Sequence, residues 1–150
     1  MTPLDYAGIN NRLDCVKLLL KHGCDPNHIS RDGNTSLHFV MIMYRPEEAE
    51  LSLRVVQQLL LYGANGQAAN CEAVTPLDAL EEELEDYDQD ATLDWQSVQS
   101  LRRILKTDVK MVVTLLSTKL FPTRSAFGTH LSVDLIRMVL ETSGHYYPRV

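Results

Sequence analysis

Thr2-Pro3-Leu4-Asp5-Tyr6-Ala7 recurs as Thr35-Ser36-Leu37-His38-Phe39-Val40 and again as Thr75-Pro76-Leu77-Asp78-Ala79-Leu80. The first step is 33 residues and the second is 40, the same step with seven residues added. Self-similarity at such a period marks a stack in which each unit buries its apolar face against its neighbours. A second motif repeats in the same units: Val16-Lys17-Leu18-Leu19-Leu20-Lys21-His22-Gly23 is matched by Val56-Gln57-Gln58-Leu59-Leu60-Leu61-Tyr62-Gly63. Weaker copies follow at Leu101–Lys106 and Ile136–Glu141. The leucine-type pairs sit at helical spacing, so each run predicts one buried helix face. Gly23 and Gly63 fall just past those runs, where a left-handed cap needs no β-carbon.

These residues resemble the ankyrin repeat family. The resemblance implies an all-α solenoid of helix-turn-helix units, each opening on Thr-Pro-Leu-His and each linked to the next by a β-turn finger. Gly23-Cys24-Asp25-Pro26-Asn27 follows the finger entry closely, and Arg31-Asp32-Gly33-Asn34-Thr35 follows its turn, with Gly33 free to take positive φ. Ala73 replaces the turn glycine in the second finger. The likeness is strong over 1–80, fair over 94–108 and faint over 109–150. It implies that each threonine caps its first helix and pairs with a motif histidine. Pro3 and Pro76 suit the first helical position, where a missing N–H costs nothing. Asp5 and Asp78 stand where the family has histidine; a carboxylate there still accepts a backbone N–H near the helix start.

The units are expected to start near residues 1, 33 and 73, giving a repeat region over 1–108 with insertions at about 44–50 and 83–93. Arg45-Pro46-Glu47-Glu48 marks a break and a new helix start between the helices of unit two. Asp94 is the expected cap of a helix through Lys106, with Trp95, Val98, Leu101 and Leu105 on one face. The stretch from Glu83 to Ala91 reads as mobile or as a frayed helical extension. Residues 109–150 read either as a degenerate terminal repeat or as a helical hairpin packed on the stack. The chain opens inside the first motif, with no capping unit over Tyr6, Ile9, Leu13, Val16 and Leu20. A longer protein with further N-terminal repeats, or a partner over this end, is the expectation.

Net charge is −6, and it is unevenly spread. Residues 81–94 contribute −8 with no lysine or arginine, leaving +2 elsewhere, so a uniform acidic label misreads the chain. Asp86-x-Asp88-x-Asp90 opens like a calcium loop, but Ala91 and Ser97 stand where such a loop needs Gly and Glu, so no metal is expected. Cys15, Cys24 and Cys71 have no metal-type spacing. Cys15 and Cys24 read as packed thiols and Cys71 as an exposed fingertip thiol, which points to a reducing, intracellular location, cytoplasmic or nuclear. No apolar run is long enough to span a bilayer. Arg102, Arg103, Lys106 and Lys110 lack the interleaved aromatics of nucleic-acid readers and read as solvated helix faces. His38 reads as structural and His22 as a helix-end cation. No phosphate loop or catalytic triad can be placed, so neither an enzyme nor a cofactor is expected.

The resemblance places partner binding on the fingertips and the exposed side of the first helices. By position these are Ile29, Arg31, Asn34, Ala69, Cys71 and Val74, with Ile9, Asn10, Ile42, Met43, Glu82 and Glu83 on the helices. Ile42, Met43 and Tyr44 read either as an apolar interface patch or as residues tucked under the Arg45–Glu50 insertion. The expected function is non-enzymatic binding of another protein, as scaffold or adaptor. Two other classes stay open: a substrate receptor of a ubiquitin ligase, and the regulatory region of a larger enzyme or channel. The leucine and proline spacing around Phe121-Pro122 and Tyr147-Pro148 matches neither a SOCS-type nor an F-box pattern.

Overall fold

Helix starts follow the threonines. At the first, the Thr2 hydroxyl accepts from the Asp5 amide at 3.2 Å while an Asp5 oxygen accepts from the Thr2 amide at 2.5 Å, a reciprocal capping box ahead of Pro3. The computed structural model describes residues 1–85 and 94–106. Its elements are α1 (Pro3–Ile9), α2 (Leu13–Lys21), α3 (Ser36–Ile42), a 3₁₀ turn (Pro46–Glu48), α4 (Ala49–Leu61), α5 (Pro76–Glu85) and α6 (Trp95–Lys106). Asp86, Asp88 and Asp90, and the terminal unit expected over 109–150, lie outside the described residues.

The helices pair within each unit, α1 with α2, α3 with α4 and α5 with α6. First helices pack on first helices in the order α1, α3, α5, and second helices on second helices in the order α2, α4, α6. The result is a two-layer helix-turn-helix solenoid. Its core lies between the layers and is filled by Leu4, Leu37 and Leu80 from one side and by Val16, Leu20, Val56, Leu60, Leu101 and Leu105 from the other. The triple leucine of α4 is enclosed throughout, whereas in α2 only Leu20 of the three is fully buried.

The seven residues that lengthen the second step are split between two places. Helix α4 has thirteen residues where α2 has nine, and six residues join α3 to α4 where three join α1 to α2. Four therefore extend a helix by about one turn and three enlarge a connection. Asn11, at positive φ in the shorter connection, reaches across to this enlargement: its amide donates to Glu48 at 2.7 Å and accepts from Ser52 at 3.2 Å.

Two expectations change at the helix surfaces. Cys15 is exposed rather than packed, because it stands on the side of α2 away from α4; the equivalent Val55 of α4 is fully buried against α2. Trp95 is exposed as well. Asp94 caps α6, accepting from the Gln96 amide and the Ser97 hydroxyl, and burial begins only at Ser97 and Val98. The hydrogen bond from the Ser97 hydroxyl, with the Ser97 and Gln96 amides, holds the Asp94 carboxyl below its ordinary range.

Tyr44 lies within the enlarged connection. It is 3% exposed, and its hydroxyl is the only buried side-chain polar atom without a hydrogen-bond partner among the described residues. Burial, with the Asp94 and Glu47 carboxylates nearby, pushes the phenol up to about 12. A buried, unpartnered hydroxyl carries an uncompensated desolvation cost. Tyr44→Phe therefore raises the unfolding free energy by about 1–2 kcal/mol. Urea denaturation followed by circular dichroism measures this, and an unchanged or lowered midpoint refutes it.

Candidate partner-binding face

The fingers are two matching turns. Ser30 donates its amide to the Asn34 carbonyl and Asn70 donates to the Val74 carbonyl, each at 2.9 Å. Gly33 and Ala73 occupy the same turn position at φ +79° and +61°. At Gly33 a β-carbon would meet the Cys71 amide nitrogen at 2.7 Å, so only glycine fits there. Ala73 takes the left-handed conformation at a cost that glycine would avoid.

The fingers are tied to each other. The Cys71 amide donates to the Asp32 carbonyl at 3.1 Å, and the Asn70 side chain donates to that of Asn34 at 2.9 Å. At the finger bases, Asn27 donates to the Gly63 carbonyl at 2.8 Å and accepts from the Asn65 amide at 2.7 Å. Gln67 reaches the Leu105 carbonyl of α6. These bonds fix the spacing between successive fingers and so the spacing of whatever the fingertips present.

The threonine motif works across the unit boundaries too. Nδ1 of His38 accepts from the Thr35 amide at 3.1 Å and from its hydroxyl at 2.9 Å, leaving Nε2–H to donate to the Val74 carbonyl of the next finger at 3.0 Å. Burial lowers the His38 pKa, against the opposing pull of the Val74 and Ala68 carbonyls. Asp5 uses its second oxygen to accept from the Ser36 hydroxyl at 2.6 Å, bridging units one and two. Asp78 stays on its own helix start, where the Thr75 hydroxyl and amide hold its carboxyl low.

The expected contact residues fall into two groups. Ile29, Arg31, Ala69 and Cys71 are exposed on the fingers, and Asn10, Met43 and Glu82 are exposed on or beside the first helices. Ile9, Ile42 and Glu83 are half-buried. Asn34 and Val74 are half-buried and take part in the finger bonds just described, Asn34 through its side chain and Val74 through its carbonyl. Tyr44 is enclosed, which removes it from the expected apolar patch, while Met43 beside it remains 46% exposed.

One further surface extends beyond the expected contacts, of which it includes only Asn10, on the unit-one end where a further repeat or a partner is expected. Tyr6 and Leu18 are 59% and 57% exposed, and with Pro3, Ala7, Asn10, Arg12, Cys15 and Leu19 they line an open cavity of about 580 Å³ on unit one. Its signal lay in the repeat itself, since Pro3, Ala7, Cys15 and Leu19 are the equivalents of Ser36, Val40, Val55 and Leu59, all buried in unit two by unit one. On the other layer, Glu50, Arg54, Gln57, Asp94 and Ser100 border a polar groove of about 280 Å³ between α4 and α6. No cluster of three or more potential metal ligands occurs among the described residues, and none of their helices is long and apolar enough to cross a membrane.

A family model described as ankyrin repeats (many copies) matches residues 4–44, from α1 through the first finger and α3. Residues 4–44 thus match the ankyrin repeat pattern. Over 40 residues, 27% of the chain, it is 42% identical to an ankyrin repeat protein of Acanthamoeba polyphaga mimivirus. Over 76 residues, 51% of the chain, it is 33% identical to Inversin of Gallus gallus. The chain spans only 5% and 6% of the length of these two relatives. Repeats of this kind support a protein-interaction role for the finger and helix geometry described above.

Proposed function

We propose that this ankyrin stack is a non-enzymatic adaptor that holds another protein against its fingers and the exposed side of its first helices. The observation that carries this reading is the finger-to-finger bonding. Asp32–Cys71 and Asn34–Asn70 set two fingertips in a fixed relation, so Ile29 and Arg31 on one and Ala69 and Cys71 on the other are presented as a preformed row. A preformed row loses little conformational freedom on binding, and that favours affinity. Ile29 and Met43 supply exposed apolar anchors at the fingertip and at the end of α3.

The test is affinity capture with the full chain. Ile29→Asp with Met43→Glu is expected to lose the captured partner, and Lys17→Glu, on the opposite layer, is expected to keep it. A partner retained by the first variant, with circular dichroism unchanged in both, would overturn the assignment of the face.

A further inference from the structure

Charge is sorted between the two layers of the stack. Helices α1, α3 and α5 contain no lysine or arginine, whereas α2, α4 and α6 carry Lys17, Lys21, Arg54, Arg102, Arg103 and Lys106. His38, in the first layer, is enclosed. Glu81 on α5 is already neutralised: both of its oxygens accept from Arg102 of α6, at 2.8 and 2.6 Å. Glu82 and Glu85 are exposed on the same helix.

The repeat register orders this face. Ile9, Ile42 and Glu82 are equivalent positions of α1, α3 and α5, and these helices pack side by side in that order. One row therefore runs from apolar to acidic along the stack, with exposed Met43 beside its middle member. Packed helices lie about 8–10 Å apart. An extended chain covers that distance in about three residues.

Resting on the binding face proposed above, we propose that its partner is an extended basic peptide segment. The segment sets an apolar side chain over Ile42 and Met43 and a lysine or arginine about three residues away over Glu82 and Glu85. The choice of a basic segment follows from charge complementarity. Carboxylates on helices that carry no lysine or arginine attract a cationic side chain and repel an acidic one, and the apolar neighbour weakens the competing pull of water.

Selection of a random-peptide display library on the full chain tests this. Enriched peptides are expected to combine an apolar residue with lysine or arginine at that spacing. A synthetic copy of one is expected to bind Glu82→Lys/Glu85→Lys about tenfold more weakly than the unaltered chain, to weaken with added salt, and to bind Lys17→Glu unchanged. Neutral or acidic winners overturn the charge assignment, as does binding that ignores the double charge reversal. Acidic winners that still need Met43 overturn it while leaving the binding face in place. An empty selection overturns the peptide proposal but not the capture of a folded partner described above.

Discussion

Leu20→Ala destabilises the protein by about 2–5 kcal/mol, while Leu18→Ala, two residues earlier in the same helix, changes stability by less than about 0.5 kcal/mol. Leu20 is 3% exposed in the core between the layers, and its truncation leaves a cavity that packed neighbours cannot fill. Leu18 lies on the open cavity of unit one and gives up only a partial contact. Urea denaturation of the full chain and the two variants measures the contrast. Equal losses at the two positions would show that the open face is covered in solution by something that buries Leu18.

The second large effect concerns His38. Its replacement by Ala removes an enclosed ring, leaves the Thr35 amide and the Val74 carbonyl without their partner, and costs about 2–4 kcal/mol. The same residue makes stability depend on pH. Burial lowers its pKa in the folded state below the ordinary 6.5, so the unfolded chain binds the proton more readily. The stabilisation is present in full above the ordinary value. It is lost as pH falls from there through the lowered folded value. Subtracting the profile of His38→Gln, measured under the same conditions, cancels the other histidines. A difference between the two proteins that stays flat from about pH 7 to about pH 5 would remove His38 as the source.

Much of the fold is legible in the chain because local and global signals agree. Thr2 and Thr35 open helices with their N3 side chains engaged, Gly33 takes a conformation that alanine could not take against the Cys71 amide, and the leucine runs form the second-helix core. The misreadings share one physical cause: helical periodicity tells which residues share a face, not which face has a neighbour. Cys15 and Val55 occupy equivalent positions, yet only Val55 has a helix against it. Trp95 continues the stripe of Val98 and Leu101 but precedes the point where α6 becomes buried. For Tyr44 the sequence leaves an interface patch and a tucked position both open, and its burial decides for the second. Asn34 and Val74, at expected contact positions, each also bond a partner 36 residues away, Asn34 through its side chain and Val74 through its carbonyl. Such pairings cannot be read from either residue alone.

The links between units described above all run between immediate neighbours: Asp5 to Ser36, Asn27 to Gly63, His38 to Val74, Gln67 to Leu105. Unit two is the only described unit held on both sides. Opening the molecule at unit one breaks a single seam, and α2, with only Val16 and Leu20 fully buried, gives up little apolar burial when it leaves. Opening at unit two breaks both seams at once and exposes the thirteen-residue α4 with its triple leucine. Among the described units, an opening that separates unit one from unit two therefore breaks fewer described contacts than one that frees unit two. In such a state the two fingertips come apart before the core is lost, so a ligand that spans both fingers would also clamp the stack shut.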